Sequence, residues 1–192
     1  MSSSFLLASG SPRRKELLTL LGYQFDIIIP NIEEQQQPEE RPQDYVARLS
    51  REKAQAGLVL SQVQNPQLSL PVLGADTIVV IDQQVLEKPV DYNDSKRMLQ
   101  QLSNRKHQVM TAVTVATEQK FKTTTVITDV CFKPLTEAEI QAYWHSGEPC
   151  DKAGSYGIQG IGGRFVSRIE GSYHAVMGLP LMETDLLLSD FL

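Results

Sequence analysis

Two arginines stand near the amino terminus, at the start of a predicted helix that directly follows a small-residue turn. Ser11 suits the N-cap of this helix, and Pro12 suits its first position, where the missing N–H removes no hydrogen bond. The first N–H groups of the helix point outwards at its positive dipole end, and Arg13 and Arg14 add two cations there. Such a helix start is suited to hold phosphate. The alternative is a capped helix with solvated arginines.

Asp76 interrupts a segment, residues 72–80, that is otherwise typical of a buried strand. An isolated ionised carboxylate is costly in such a strand, so the pattern predicts a cation, a metal or strong hydrogen bonds beside it. Gly74 and Ala75 are small enough to let a ligand approach closely. The alternative is an aspartate at a strand end whose side chain bonds a turn.

Two lysines are placed where they could meet an anion. Lys53 falls in the apolar stripe of a predicted helix, between Leu49 and Ala56, so it either snorkels to the edge of the stripe or points into a cleft. Lys88 precedes Pro89, which holds the lysine backbone extended. A lysine in an exposed loop is the usual alternative for Lys88.

Glu33 and Glu34 form an acidic pair in a polar loop and could supply a metal ligand, although solvated loop glutamates are common. Carboxylate oxygens suit Mg²⁺ or Mn²⁺. The sequence thus offers two arginines, two lysines and at least two carboxylates. Together these groups are suited to metal-assisted attack on a polyphosphate. The cations and the metal would neutralise oxyanion charge while a carboxylate orients or deprotonates water.

Length and composition fit one sizeable globular domain or a two-lobed one. The chain has 192 residues, of which 41% are hydrophobic and 21% are charged. A net charge of −5 argues against broad nucleic-acid binding. Cys131 and Cys150 have no metal spacing and are predicted to be free thiols in a reducing compartment. With no signal peptide and no apolar run of membrane length, we expect a cytoplasmic protein with no membrane partner.

The hydrophobic pattern predicts alternating strands and helices, and hence an α/β fold with a mixed sheet. The predicted strands cover residues 5–8, 25–29, 70–81, 85–86, 108–117, 122–132, 164–169 and 174–177. The predicted helices begin near Pro12, Pro42, Asn93 or Asp94, Thr136 and Pro180. Residues 154–163 contain five glycines, which predicts a loop with unusual backbone demands.

Several common catalytic patterns are missing from the sequence. It contains no G-x-x-x-x-G-K-[ST] phosphate loop, no H-E-x-x-H, no EF-hand loop and no G-x-S-x-G elbow. The three histidines, His107, His145 and His174, show no ligand spacing, so each is expected to be structural or exposed. The arginines, lysines and carboxylates therefore remain the best candidates for chemistry.

In their order along nearly the whole chain, these residues resemble the Maf family of nucleotide pyrophosphatases. The resemblance rests on residues 7–14, 33–34, 51–54, 74–77, 87–89, 151–160 and 178–181. Each block is short, but their order and spacing together are specific. The resemblance implies a single domain over residues 1–192, with a mixed twisted sheet, flanking helices and two lobes around a central cleft, as in inosine triphosphate pyrophosphatases. It also implies a nucleotide substrate, hydrolysed to the monophosphate and pyrophosphate with Mg²⁺ or Mn²⁺, and suggests a homodimer.

The same resemblance implies roles for individual residues. Asp76 would accept a proton from water and, with Glu34, bind the metal. Four cations would line the path of the phosphates: Arg13, Arg14, Lys53 and Lys88. Ser9 would also belong to the substrate-binding residues. Arg13 also falls, with Thr77 and Gln159, where the family sorts its substrates. Thr77 and Gln159 resemble the subgroup that acts on dTTP and UTP.

Gln159 has a physical rationale for this selection. A side-chain amide offers a donor and an acceptor, which match the O4/N3–H edge of uracil or thymine. Such a site rejects other bases because their edges leave buried polar groups unpaired. Two alternatives stay open: a nucleotide-binding regulator of septum formation and cell division without significant turnover, and a house-cleaning pyrophosphatase for modified nucleotides. Binding and catalysis use the same cations, so the sequence does not separate them.

Overall fold

The computed structural model describes residues 4–67 and 69–192, which form one mixed sheet with flanking helices. The strands are β1 (Phe5–Ala8), β2 (Phe25–Ile28), β3 (Val72–Ile81), β4 (Gln84–Leu86), β5 (Lys106–Ala116), β6 (Phe121–Phe132) and β7 (Val166–Glu170). The helices are α1 (Pro12–Leu20), α2 (Pro42–Gln64), α3 (Tyr92–Leu102), α4 (Glu137–His145), α5 (Tyr173–Met177) and α6 (Leu181–Ser189). The predicted α/β class is confirmed.

The sheet has seven strands in the order β2-β1-β3-β5-β6-β7, with β4 paired to β3. Strand β1 runs parallel to both β2 and β3. Strand β4 is antiparallel to β3, and β7 is antiparallel to β6. The predicted mixed sheet is therefore present, with parallel pairs at the β2 end and antiparallel pairs between β3 and β4 and between β6 and β7.

Two differences between the predicted elements and the structure have a clear local cause. Residues 174–177, predicted as a strand, belong to helix α5. The hydroxyl of Ser172 accepts the N–H of Ala175 at 3.1 Å, and this local bond favours a helical turn in a run too short to show strand alternation. Helix α3 begins at Tyr92 and not at Asn93 or Asp94, because the Asp91 carboxylate caps it by accepting the N–H of Asp94 at 2.8 Å.

The chain forms two compact units. The described part of the first unit runs up to Asp76 and includes Thr111–Val126 and Gly178–Leu192. The second unit comprises Thr77–Met110 and Ile127–Met177. None of the helices in residues 4–67 and 69–192 is long and apolar enough to cross a membrane.

In the first unit, helix α2 lies directly on the sheet through a row of small residues. Its buried face includes Ser50, Ala54, Gly57 and Ser61. A Cβ on Gly74 of strand β3 would lie 2.5 Å from the backbone nitrogen of Ala54 and would also meet the carbonyl oxygen of Ser50. The close approach that the sequence predicts for a ligand at Gly74 is therefore made by the backbone of α2. Gly74 thus sets the height of α2 above the sheet.

In the second unit, aromatic rings form part of the core. Phe132 packs edge-on against Tyr156, with ring centroids 4.7 Å apart, and Tyr143 packs edge-on against Phe165 at 5.0 Å. His107 lies in the same cluster, and its Nε2 is 2.8 Å from the hydroxyl oxygen of Tyr156. Because Tyr156 lies near the start of the glycine-rich segment and Phe165 just after its end, this core anchors the segment on both sides.

Candidate active site

The centre of the candidate site is an ion pair between two regular elements of the first unit. Asp76 lies on strand β3 and Lys53 lies on helix α2, with the lysine Nζ 2.7 Å from the aspartate Oδ1. The side chain of Asp76 is 7% exposed and that of Lys53 is 12% exposed. An unpaired carboxylate at this depth would be strongly destabilising. The cation that the sequence predicts beside Asp76 is supplied by Lys53.

Lys53 reaches Asp76 because of its position on α2. The buried face of the helix includes Leu49, as the sequence predicts, but continues through Ala54 and Gly57, each one position after a residue of the predicted stripe. Lys53 lies at the border of this buried face, where its ammonium contacts the carboxylate of Asp76. The anionic group that Lys53 contacts is thus Asp76 of the same chain, and a ligand anion in a cleft beside it stays a prediction.

Glu34 joins the same cation from the loop between β2 and α2. Its Oε1 is 3.0 Å from the Nζ of Lys53, and its side chain is 43% exposed. One ammonium therefore holds two carboxylates, one buried and one accessible. Glu33, the other member of the predicted acidic pair, is exposed to solvent.

The two carboxylates fit a divalent metal of the Mg²⁺ type. They converge on one cation, and Mg²⁺ is typically held by one or two carboxylates that are completed by water and substrate phosphates. Within residues 4–67 and 69–192 there is no group of three or more His, Cys, Asp or Glu side chains that could hold a metal ion. A metal bound by Glu34 and Asp76 would have its remaining positions filled by water and substrate phosphates.

The start of helix α1 holds Arg14 in a fixed orientation. The Oγ of Ser9 accepts hydrogen bonds from the Nη1 of Arg14 and from the backbone N–H of Ser11, both at 3.2 Å. The Nε of Arg14 donates to the carbonyl oxygen of Gly178 at 2.9 Å. Ser11 occupies the predicted N-cap position, but its side chain makes no capping hydrogen bond. The hydroxyl that organises this helix start is therefore that of Ser9.

Charges of both signs act on Arg14. Burial lowers the pKa of its guanidinium, the carboxylate of Asp76 raises it, the neighbouring Arg13 lowers it and Glu34 raises it, with a net lowering. Arg14 is thus a desolvated cation near the carboxylates of Asp76 and Glu34. We name Lys53, Asp76 and Glu34 the Lys53 cluster. A guanidinium in these surroundings is suited to an incoming anion, which would offset the repulsion from Arg13.

The structure gathers some predicted site residues and leaves others in the second unit. The first unit brings together Ser9, Arg13, Arg14, Glu34, Lys53 and Asp76. Thr77 follows Asp76 on β3 and is half-buried, whereas Lys88 and Gln159 are exposed. A shared substrate for these last three residues stays a prediction.

One functional group of the site was missed by sequence reasoning. The carbonyl of Gly178 orients Arg14 from 164 positions away in the chain. Every residue type carries such a carbonyl, so nothing in the sequence assigned it a role, although Gly178 belongs to the block 178–181 on which the resemblance rests.

The fold and this cluster define a mixed α/β protein whose candidate site combines partly buried cations with paired carboxylates. The chain belongs to the Maf family, since the family model described as Maf-like protein matches residues 4–191. This finding agrees with the resemblance seen in the sequence.

Curated relatives are similar to the chain over nearly their full length. A protein of Aliivibrio fischeri is 66% identical over 193 residues, covering 100% of both chains. One of Vibrio parahaemolyticus is 64% identical, covering 100% of this chain and 98% of its own. One of Escherichia coli is 57% identical, covering 98% of this chain and 93% of its own. All three are named dTTP/UTP pyrophosphatase.

Proposed function

We propose that this protein hydrolyses dTTP and UTP to the nucleoside monophosphate and pyrophosphate. The observation that carries the proposal is the buried Asp76 carboxylate, held at 2.7 Å by Lys53, which also contacts Glu34 at 3.0 Å. A buried carboxylate beside cations is suited to activate water at a phosphate. The full-length relatives named dTTP/UTP pyrophosphatase support both the reaction and the pyrimidine substrates.

The phosphates would be bound by the cations of the site. Arg13 and Arg14 lie in the first turn of α1, where the helix dipole and the outward N–H groups also favour an anion. Ser9 keeps Arg14 in place through its hydroxyl. Lys53 and Lys88 would neutralise further phosphate oxygens, and the Lys88 role rests on the family resemblance.

Asp76 would be the proton acceptor of the reaction. Water forms a new O–P bond, the phosphoanhydride that joins the α- and β-phosphates breaks, and the water proton passes to a carboxylate oxygen of Asp76. Pyrophosphate leaves with the electrons of the broken bond. The ion pair with Lys53 fixes the orientation of this carboxylate, since its position on β3 and the partner on α2 are both set by regular backbone.

A divalent metal, Mg²⁺ or Mn²⁺, belongs to this proposal because the donor set fits it. Glu34 and Asp76 would hold the ion. When bound, it would neutralise charge on the phosphate oxygens and increase their susceptibility to attack. Asp76 would then orient water, and Glu34, which is partly exposed, would be the more accessible ligand.

Base selection would fall to residues of the second unit. Gln159 would read the O4/N3–H edge of the pyrimidine through its amide, and Thr77 would act beside the catalytic Asp76. The substrate is a free nucleotide and not a nucleic acid, in keeping with the net charge of −5. We place the reaction in the cytoplasm, and the family resemblance suggests a homodimer.

The test is an assay that resolves products, with Mg²⁺ or Mn²⁺ and a panel of dTTP, UTP, CTP, GTP, ITP and 7-methyl-GTP. We expect pyrophosphate and the monophosphate from dTTP and UTP. Activity confined to another base, or to modified nucleotides, would contradict the roles given to Thr77 and Gln159. Tight nucleotide binding without pyrophosphate release would contradict the enzyme and favour a regulatory protein.

A further inference from the structure

The loop that carries Gln159 is held by a tyrosine and a glutamate from the same unit. Tyr143 lies on the last turn of α4, and Glu148 follows shortly after this helix. The Tyr143 hydroxyl donates a hydrogen bond to the Oε1 of Glu148 at 2.7 Å. The tyrosine is fully buried, so the pair is attached to the core. We name the pair the Tyr–Glu clamp and residues 157–162 the Gln159 loop.

Backbone N–H groups on both sides of Gln159 donate hydrogen bonds to the clamp. Before it, the N–H of Gly157 donates to the tyrosine hydroxyl at 3.1 Å. After it, the N–H of Ile161 donates to the glutamate Oε2 at 2.7 Å and that of Gly162 to the glutamate Oε1 at 2.9 Å. Hydrogen bonds thus attach the loop, before and after Gln159, to one hydroxyl–carboxylate pair. Gln159 lies between the attachment points and is exposed.

Two loop glycines allow this close approach. A Cβ on Gly160 would overlap the carboxylate of Glu148, and a Cβ on Gly162 would lie 2.5 Å from the hydroxyl oxygen of Tyr143. The sequence predicts a loop with unusual backbone demands over residues 154–163. At these two positions the demand is that the backbone must come close to the clamp.

The charge of Glu148 matches its partners. Burial raises its pKa, but hydrogen bonds and a nearby cation outweigh burial and lower the pKa overall. The groups that lower it are the N–H of Gly162, the hydroxyl of Tyr143, the N–H of Ile161 and the ammonium of Lys152. An ionised carboxylate only accepts hydrogen bonds, and here three donors point at it. Charge-assisted bonds of this kind are strong, so the loop backbone is firmly placed.

We propose that Glu148 and Tyr143 are positioning residues for base selection, which fix the loop backbone so that Gln159 presents its amide to the pyrimidine. This inference rests on the proposed function, in which Gln159 reads the base. The clamp acts through Gln159 and leaves the phosphate-binding cations in place. It therefore governs substrate discrimination and KM more than kcat, since a displaced amide loses its bonds to the base.

Glu148→Gln tests the proposal with little change in side-chain size. The amide replaces one acceptor oxygen by an NH₂ group, which then faces a backbone donor. In the pyrophosphate-release assay we expect the ratio of kcat/KM for dTTP to that for CTP to fall by about tenfold or more. We expect KM for dTTP to rise while kcat stays within about twofold. An unchanged ratio, or a fall in kcat alone, would overturn the proposal.

Glu137→Gln is the matched control. This glutamate lies on the first turn of α4, is 54% exposed and forms an ion pair with Lys96. The substitution makes the same chemical change on α4, near the clamp, but removes no hydrogen bond to the Gln159 loop. We expect the dTTP to CTP ratio of this variant to equal that of the wild type. An equal fall in both variants would assign the effect to α4 in general and overturn the proposal.

A double-mutant cycle separates positioning from a general structural role. If Glu148 acts through Gln159, then Glu148→Gln should change discrimination no further once Gln159→Ala has removed the amide. Additive losses in the double variant would show that Glu148 acts by another route. That result would overturn the inference even if Glu148→Gln alone behaved as expected.

Amide hydrogen exchange tests the clamp without reference to activity. We expect faster exchange at Gly157, Ile161 and Gly162 in Glu148→Gln, with α3 unchanged. Tyr143→Phe is the milder variant should Glu148→Gln fail to fold, and we expect it to speed exchange most at Gly157. Unchanged exchange rates at these three amides would contradict the role of the clamp in holding the loop. If the wild type releases no pyrophosphate, the proposed function fails, and the exchange result alone then decides whether the clamp positions this loop.

Discussion

The Lys53 cluster of the first unit and the Gln159 loop of the second are held by different kinds of structure. Lys53 and Asp76 stand on a helix and a strand, whose backbone hydrogen bonds are made within the helix and the sheet. In the Gln159 loop, backbone N–H groups donate hydrogen bonds to the side chains of the Tyr–Glu clamp. One region is fixed by regular backbone, and the other by a few particular side chains.

This difference corresponds to what each region does under the proposed function. Phosphates are common to all nucleotides, and their binding rests on elements that most single substitutions leave in place. The base differs among nucleotides, and its recognition rests on contacts that one substitution can remove. Specificity could therefore change by mutation in the second unit without loss of the hydrolytic chemistry in the first. The predictions below test whether the two regions are separable in this way.

The largest effect is expected from Asp76→Asn. The amide keeps the shape of the side chain and can still accept from Lys53, but it cannot take a proton from water and is a weaker metal ligand. We expect kcat for dTTP to fall by about 10³-fold, within the range for loss of a general base, while the thermal unfolding midpoint changes little. Steady-state kinetics and circular dichroism measure the two quantities.

Asp129→Asn is the matched control for this substitution. Asp129 also lies on a strand, β6, and its Oδ2 is 2.7 Å from the Nζ of Lys106. It therefore repeats the strand aspartate–lysine pair outside the candidate site, and we expect wild-type turnover. Turnover retained by Asp76→Asn, or lost equally by Asp129→Asn, would contradict the assignment of Asp76 as the base.

Lys53→Met should destabilise the first unit. It leaves Asp76 buried without its cation, so we expect the free energy of unfolding to fall by about 3 kcal/mol. Adding Asp76→Leu to this variant removes the unpaired charge and should restore most of the stability without restoring activity. Urea unfolding curves measure these differences. If the double variant stays as unstable as the single one, the pair contributes packing and not charge compensation.

Two members of the Lys53 cluster could be recognised individually in the sequence because regular elements have regular patterns. Asp76 breaks a run of strand residues and Lys53 breaks an apolar stripe, so each was recognisable as an exception. The pattern did not show that the two side chains contact each other. That contact depends on Gly74, which sets the distance between α2 and β3.

The Gln159 loop could be predicted only as a glycine-rich irregular segment. Its conformation depends on hydrogen bonds from backbone N–H groups to the side chains of Tyr143 and Glu148. Such bonds produce no periodic pattern in the sequence. The error at α5 has a related cause. A short run with no clear alternation was predicted as a strand, and one hydroxyl bond from Ser172 favoured a helix.

Acid should destabilise the second unit through His107. Burial lowers the pKa of this imidazole to about 4, although the carboxylate of Asp129 raises it in part. The unfolded chain takes up this proton near pH 6.5, before the folded protein does. The stabilising contribution is therefore complete above pH 6.5 and is lost as the pH falls towards 4, by up to about 3 kcal/mol.

His107→Gln should remove this part of the pH dependence. Glutamine can still bond the hydroxyl of Tyr156 but does not titrate. Urea unfolding at pH 7 and pH 5 should show a smaller loss of stability in the variant than in the wild type. Glu139, whose pKa is lowered to about 2, contributes only below about pH 4.5 and does not disturb the comparison. Equal losses in both proteins would exclude His107 as the cause.

The smallest effects are expected from the helix caps, which also distinguish the two units. In the second unit, the Thr136 hydroxyl accepts the N–H of Glu139 at 3.3 Å, and the Glu139 carboxylate accepts the N–H of Thr136 at 2.8 Å. Thr136→Ala should therefore lower the free energy of unfolding by about 1 kcal/mol. It should leave kcat unchanged, because the cap is separate from the proposed site.

Ser11→Ala is the corresponding change at the start of α1 in the first unit. The side chain of Ser11 makes no capping bond, and its backbone N–H still donates to Ser9 in the variant. We expect a loss of only a few tenths of a kcal/mol, measured by urea unfolding without nucleotide. A helix start without a side-chain cap is suited to accept an external anion in its place. If Ser11→Ala costs as much as Thr136→Ala, the start of α1 is an ordinary capped end, and its proposed role in holding phosphate loses this support.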